Sequence, residues 1–185
     1  MSNRAIPIAI IAVVVIGAAL GYFFFLRPIQ NEPPVMNEDP PVKDDEPPSE
    51  ETGIVFTLTS GDEVPIDDLL ADEKPLVIYF FATWCPTCRR DLINLNATHP
   101  QYEDEISILV VGFDPTESLE KIRDYKEGRS YQWPFAVYNK DAVTEFKIVS
   151  QASKVGISLE GEVVFTRGYG VVSGEGWEAL FQELT

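Results

Sequence analysis

Two hydrophobic patterns divide this chain. From Ala5 to Leu26 the sequence is apolar and carries no charge. At about 1.5 Å per residue such a run is long enough to cross a hydrocarbon core of roughly 30 Å. From Ile54 onward, short apolar runs alternate with polar ones at the periods of strands and helices. Residues 54–59 alternate as a strand and end at the turn Ser60-Gly61-Asp62. Residues 65–70 read as a short helical turn. Leu76–Ala82 and Ile106–Phe113 are continuous apolar strands of the kind buried on both faces of a sheet. Pro86–Thr98 and the amphipathic stretch Thr116–Gly128 read as helices, the second with Thr116 as N-cap and Gly128 as C-cap. Lys154–Ser158 and Glu162–Arg167 read as a hairpin around Leu159-Glu160-Gly161, and Gly176–Leu184 as a closing helix. A strand–helix–strand core followed by a hairpin and a helix predicts an α/β sandwich, a central mixed sheet flanked by helices.

Between the two patterns, residues 28–53 interleave prolines with Glu and Asp. Such a segment cannot bury enough apolar surface to order itself, and proline stiffness and charge repulsion keep it extended. The expected organisation is a transmembrane anchor at 1–27, a disordered proline-rich acidic linker at 28–53 and one folded domain at 54–185. Arg4 and the amino terminus flank one side of the apolar run, whereas an acidic stretch follows Arg27. The positive-inside rule then places the N-terminus in the cytoplasm and the domain outside, on a single-pass protein of the cell membrane. The rival reading is a cleaved signal peptide with Gly17 and Ala19 at the cleavage site. The apolar continuation Tyr22-Phe23-Phe24-Phe25-Leu26 argues for a retained anchor. The formal net charge of −16 excludes nucleic acid as an expected partner.

The chemistry concentrates in Cys85-Pro86-Thr87-Cys88, which holds both cysteines of the chain. The segment joins the strand Leu76–Ala82 to the helix Pro86–Thr98. Cys85 falls at the N-cap and Pro86 at the first helical position, where a missing N–H costs nothing. The unpaired N–H groups and positive end of the helix point at the Cys85 sulfur and favour a thiolate, the nucleophilic form. Cys88, one turn on, is placed to attack a mixed disulfide formed at Cys85. A structural disulfide and a two-thiolate metal clip are the alternatives. A structural zinc site needs four ligands, and only His99 adds nitrogen.

Phe81-Ala82-Thr83-Trp84-Cys85-Pro86-Thr87-Cys88-Arg89-Arg90-Asp91-Leu92 resembles the active-site segment of thioredoxin-like proteins, in particular the membrane-anchored TlpA/ResA-type branch. The resemblance covers residues 54–185. It implies a thioredoxin-like fold and a protein-disulfide oxidoreductase with Cys85 and Cys88 as catalytic residues. It also implies protein thiols and disulfides as substrates, an unnamed membrane electron donor or acceptor, a reductive role, and no cofactor beyond the Cys85–Cys88 disulfide. Trp84 is expected to cover one side of the Cys85 sulfur or to pack.

Several positions depart from the family. Counting without gaps places Ala152-Ser153 where the family has a cis-proline and threonine. A cis bond to a non-proline residue costs about 3 kcal/mol. The Gln151–Ala152 bond is therefore expected to be trans, or a strained cis tolerated at a functional site. A trans bond would alter the substrate groove and open the dithiol to metal. That sustains a second reading, a copper- or zinc-handling or docking module without redox turnover. Asp91 stands where the branch often has glutamate; it either relays protons to the cysteines or is a solvated charge on the helix face. Ile93 replaces a proline that commonly kinks the helix. Tyr79 occupies the position of a buried aspartate in thioredoxins, so a buried acid is expected to be missing there. Arg89 and Arg90 are expected to serve surface solubility, and His99 to be a surface residue at a helix end. Trp133-Pro134-Phe135 is expected in the core. Thr83 lies two residues before Cys85 rather than three, which argues against a peroxidase.

Overall fold

A computed structural model describes residues 53–71 and 73–185. The anchor expected at 5–26 and almost all of the linker expected at 28–53 lie outside the described residues. Among the described residues no helix is long and apolar enough to cross a membrane.

The domain is built on a five-stranded mixed sheet. Its strands are β3 (Leu76–Phe81), β4 (Ser107–Gly112), β5 (Phe135–Ala136), β6 (Ser153–Ile157) and β7 (Val163–Arg167), in the order β5-β4-β3-β6-β7. β3 pairs in parallel with β4, from Leu76 opposite Ser107 to Phe81 opposite Gly112, and antiparallel with β6. A separate two-stranded ribbon joins β1 (Val55–Thr57) to β2 (Glu63–Pro65). The helices are α1 (Ile66–Leu70), α2 (Pro86–Thr98), α3 (Leu119–Glu127), α4 (Lys140–Glu145) and α5 (Gly174–Gln182), with a single 3-10 turn at His99–Gln101.

Every residue of β3 is buried, which is why its sequence is continuously apolar rather than alternating. Side chains on a strand point to opposite faces in turn, so β3 feeds two cores. Val77, Tyr79 and Phe81 pack with Leu92 and Leu95 of α2, Ile122 of α3, and Trp177 and Phe181 of α5. Leu76, Ile78 and Phe80 pack on the opposite face with Phe56 of β1 and Ala142 of α4, and Leu69 of α1 adjoins them. The expected sandwich is therefore observed, with α2, α3 and α5 in one layer. Trp133 and Phe135 are buried, as expected.

Some boundaries differ from the sequence reading. α3 starts at Leu119, not Thr116, because Ser118 is the cap: its Oγ accepts the Lys121 N–H. Thr116 instead donates its N–H and hydroxyl to the Asp114 carboxylate in a turn ahead of the helix. α5 begins two residues earlier than Gly176, because the Ser173 hydroxyl accepts the Gly176 N–H and caps it. β2, β5 and α4 were not anticipated. They have 3, 2 and 6 residues, too few to show a period.

His99 corrects a further expectation. It is buried, not a surface residue. Its Nδ1 accepts the Trp133 indole N–H at 3.1 Å, and its Nε2 lies 2.9 Å from the Ile106 carbonyl. Trp133 and Phe181 meet its ring edge to face. An imidazole that donates to one side and accepts on the other is neutral, and burial lowers its pKa below the ordinary 6.5. The unfolded chain therefore takes up a proton at higher pH than the folded one, and stability falls as pH drops from about 6.5 through the lowered value. Chemical denaturation between pH 7.5 and 5 should show this decline, and a His99→Asn variant should lack that part of it.

Candidate functional site

The dithiol forms at the C-terminal end of the central strand. β3 ends at Phe81, and the Cys85 N–H closes a turn onto the Ala82 carbonyl at 3.1 Å. Cys85 is the N-cap of α2 with extended backbone (φ −82°, ψ 110°), and Pro86 occupies the first turn. The Cys85 sulfur accepts the Cys88 N–H at 3.0 Å. Both positions agree with the helix-start reading. Cys85 and Cys88 are joined as a disulfide, with Cα atoms 5.3 Å apart. Cys88 is fully buried, whereas Cys85 is 2% exposed and lines a surface groove.

The turn before Cys85 is held from the β4–α3 loop. Glu117, buried despite its charge, accepts the Thr83 N–H at 3.0 Å and also the Thr83 hydroxyl. Lys121 balances it at 2.8 Å. The Trp84 indole donates to Asp114 at 2.8 Å, and hydrogen bonds from Thr116 and Trp84 hold the Asp114 carboxyl below its usual pKa. Trp84 itself is 55% exposed; it is fixed through its N–H rather than by packing in the core. On the other side, the Thr87 hydroxyl meets the Tyr169 hydroxyl at 2.6 Å, tying the residue between the cysteines to the segment after β7.

Beneath the dithiol lies the feature the sequence under-read. Asp91 is fully buried, not a solvated helix-face charge. It sits one helical turn beyond Cys88 and accepts from four groups. These are the Tyr79 hydroxyl at 3.1 Å, the Trp177 indole and the Val172 N–H at 3.0 Å each, and the Lys154 ammonium at 2.5 Å. Lys154 also donates to the Gly170 carbonyl at 2.6 Å and is 1% exposed. Burial lowers the Lys154 pKa, and the Asp91 carboxylate acts against that shift. The Tyr79 hydroxyl is pushed well above its ordinary value, first by burial and then by Asp91. No acid stands at the Tyr79 position, as expected; the buried acid comes instead from α2, and Tyr79 is its hydrogen-bond donor. Lys154 was not singled out in the sequence. The available signal was a lysine inside the apolar strand Ser153–Ile157, whose every residue is buried.

Ala152 precedes that strand, is fully buried and belongs to the same core as both cysteines. No cis peptide bond occurs among the described residues, so the Gln151–Ala152 bond is trans, one of the two expected forms. The turn is accomplished differently: Ala152 adopts φ +59° and donates its N–H to the Phe80 carbonyl at 2.7 Å. A left-handed non-glycine residue costs about 1–2 kcal/mol. Arg89 and Arg90 are exposed on α2, as expected. Among the described residues no group of three or more His, Cys, Asp or Glu side chains is arranged to hold a metal ion.

Comparison with known proteins matches residues 51–174 to the AhpC/TSA family. The thioredoxin-like protein YneN of Bacillus subtilis is 25% identical over 92 residues, covering 49% of this chain and 53% of that one. The thiol-disulfide oxidoreductase ResA of Bacillus cereus is 22% identical over 88 residues, covering 48% and 49%. The chain thus spans about half the length of these curated relatives. The crystal structure of the pneumococcal exposed lipoprotein thioredoxin from Streptococcus pneumoniae superposes with a TM-score of 0.61 at 19% identity, over 71% of this chain and 99% of that one. The fold is therefore thioredoxin-like.

Two tests follow from the buried pair and the strained turn. Removing one partner of a buried ion pair costs about 3–5 kcal/mol because the other charge is left uncompensated. Lys154→Met should lose that much in denaturant unfolding, and Asp91→Asn/Lys154→Met should lose clearly less than the sum of the two single changes. Strictly additive losses would mean that the pair is not coupled. Ala152→Pro, which demands φ near −65° and removes the N–H donated to Phe80, should destabilise by about 3 kcal/mol; Ala152→Gly should not.

Proposed function

The chain belongs to the AhpC/TSA family, and from that premise we propose that it is a thiol–disulfide oxidoreductase acting on protein cysteines. The observation that carries the reading is the N-cap position of Cys85 on α2, with the Cys88 N–H directed at its sulfur. On reduction, that same N–H and the positive helix end stabilise a Cys85 thiolate. The thiolate attacks a substrate disulfide, forming a mixed disulfide and releasing one substrate thiolate. Cys88, as thiolate, then attacks the Cys85 sulfur, releasing the second substrate thiolate and closing the Cys85–Cys88 disulfide. Two electrons pass to the substrate, whose two thiolates take up protons.

The surroundings suit that cycle. Glu117 and Asp114 pre-position the turn carrying Trp84 and Cys85, so attack requires little reordering. Asp91, held by four donors, is the first carboxylate along α2 after Cys88, and in this reading it moves the Cys88 proton. Lys154 and Tyr79 are positioning residues that set its orientation and charge.

The same proposal places the domain outside the cytoplasm, tethered by residues 5–26 and supplied with electrons by a membrane donor, in the reductive direction. The uncharged run at 5–26 and the acidic stretch after it support the tether.

Equilibration of the protein against glutathione or dithiothreitol checks both chemistry and direction. A reversible potential near or below about −250 mV is expected of a reductant; one above about −180 mV would make the protein an oxidant or isomerase. Cys85→Ser should abolish exchange, and Cys88→Ser should accumulate the mixed disulfide at Cys85. Full exchange activity in Cys85→Ser would end the reading.

A further inference from the structure

Cys85 opens onto a groove of about 500 Å³ lined by Trp84, Arg89, Arg90, Ile93 and Arg129, among others. An adjoining depression shares Arg89, Ile93 and Arg129 and continues to Tyr131. The chain as a whole has 14 Lys and Arg against 30 Asp and Glu. Yet three arginines converge here, and no carboxylate lines either depression. The arginines are exposed. The ion pairs formed among the described residues are Lys121–Glu117, Lys154–Asp91 and Arg167–Glu183, so none of the three groove arginines has a carboxylate partner there. The carboxylates nearest the Thr83–Trp84 turn, Asp114 and Glu117, are engaged by Trp84, Thr116, Thr83 and Lys121.

The groove also has a fixed frame. The Arg129 guanidinium lies 3.8 Å from the centre of the Tyr125 ring and donates to the Tyr125 carbonyl at 3.2 Å. Trp84 is anchored through its indole N–H, while its ring remains over half exposed, as is the Ile93 side chain at 52%. Cationic forks with two apolar contacts suit a chain segment that carries carboxylates and a few apolar side chains. A general solubility role does not account for this placement, because the surface charge of this chain is otherwise predominantly negative.

We propose that this groove recognises an acidic segment flanking the cysteine of the partner protein. The inference rests on the thiol–disulfide reading above and names its substrate class: proteins that present their disulfide beside Asp and Glu. The exchange step is unchanged and needs no further reactant. An electrostatic effect of the arginines on the Cys85 thiolate would act on all substrates alike, so selectivity between substrates isolates recognition.

The test uses the full chain in reduced form and three peptides with one identical disulfide, flanked by Asp and Glu, by Ser, or by Lys. Electrostatic steering of this kind is worth 10-fold or more in encounter rate. The acidic peptide should react about 10-fold faster in kcat/KM than the Ser peptide, and the Lys peptide slower still. The differences should shrink towards 0.5 M salt, where exposed charges are screened. Arg90→Glu/Arg129→Glu should invert the order of acidic and Lys peptides, whereas Arg129→Lys should preserve it. Fluorescence anisotropy of a Cys→Ser acidic peptide reads binding without turnover; it should bind the wild type, and the charge-reversed protein should lose it. Exchange at equal rates on all three peptides would overturn the acidic-segment inference and leave the oxidoreductase reading standing. Selective binding of the Cys→Ser peptide with no exchange on any disulfide would do the reverse.

Discussion

The site depends on one buried carboxylate. Asp91 collects a hydroxyl from β3, an ammonium from β6, an indole from α5 and a backbone N–H from the segment leading into α5. An ionised group removed from water is tolerated only when its acceptor sites are filled and its charge is met. Those four partners come from parts of the chain up to 86 residues away, so satisfying Asp91 fixes where α2 lies on the sheet. Since Cys85 and Cys88 are carried by the first turn of α2, the same constraint places the dithiol.

The rest of the site follows from that anchorage. With α2 seated, its N-terminus faces the loops at the end of β3, where Glu117 and Asp114 hold the turn before Cys85. Tyr169 meets Thr87 from the opposite side, and the Gly170 carbonyl on the same segment receives the second Lys154 hydrogen bond. The dithiol is thus gripped by two loops, one of which shares a lysine with the buried carboxylate below. Removing Asp91 or Lys154 would be felt by both the helix and the loop.

Ala152 shows how a turn can be held by a left-handed residue other than glycine. The resemblance leads one to expect a cis-proline near this point; the structure has a trans bond and a left-handed alanine. The hydrogen bond from Ala152 to Phe80 and the full burial of the residue hold the conformation against its intrinsic cost. Because its N–H is already given to Phe80, it is not free to pair with a bound chain.

Local sequence determined the sheet core and the reactive end of α2. Leu76–Ala82 and Ile106–Phe113 are apolar without interruption because both faces of their strands are covered. Cys85 and Pro86 have only one comfortable place on a helix, its start. Caps and short elements were less legible: Ser118 rather than Thr116 caps α3, and a strand of two residues has no period to detect. Burial of charge was barely legible, the lysine inside the strand Ser153–Ile157 being its one sign. His99 reads as a surface residue, Asp91 as either a proton relay or a solvated charge, and Lys154 and Glu117 draw no reading, because a single polar side chain carries little local sign of the partners that will meet it. Those partners are brought together only when the sheet and helices pack, and tertiary structure alone decided that these charges lie inside.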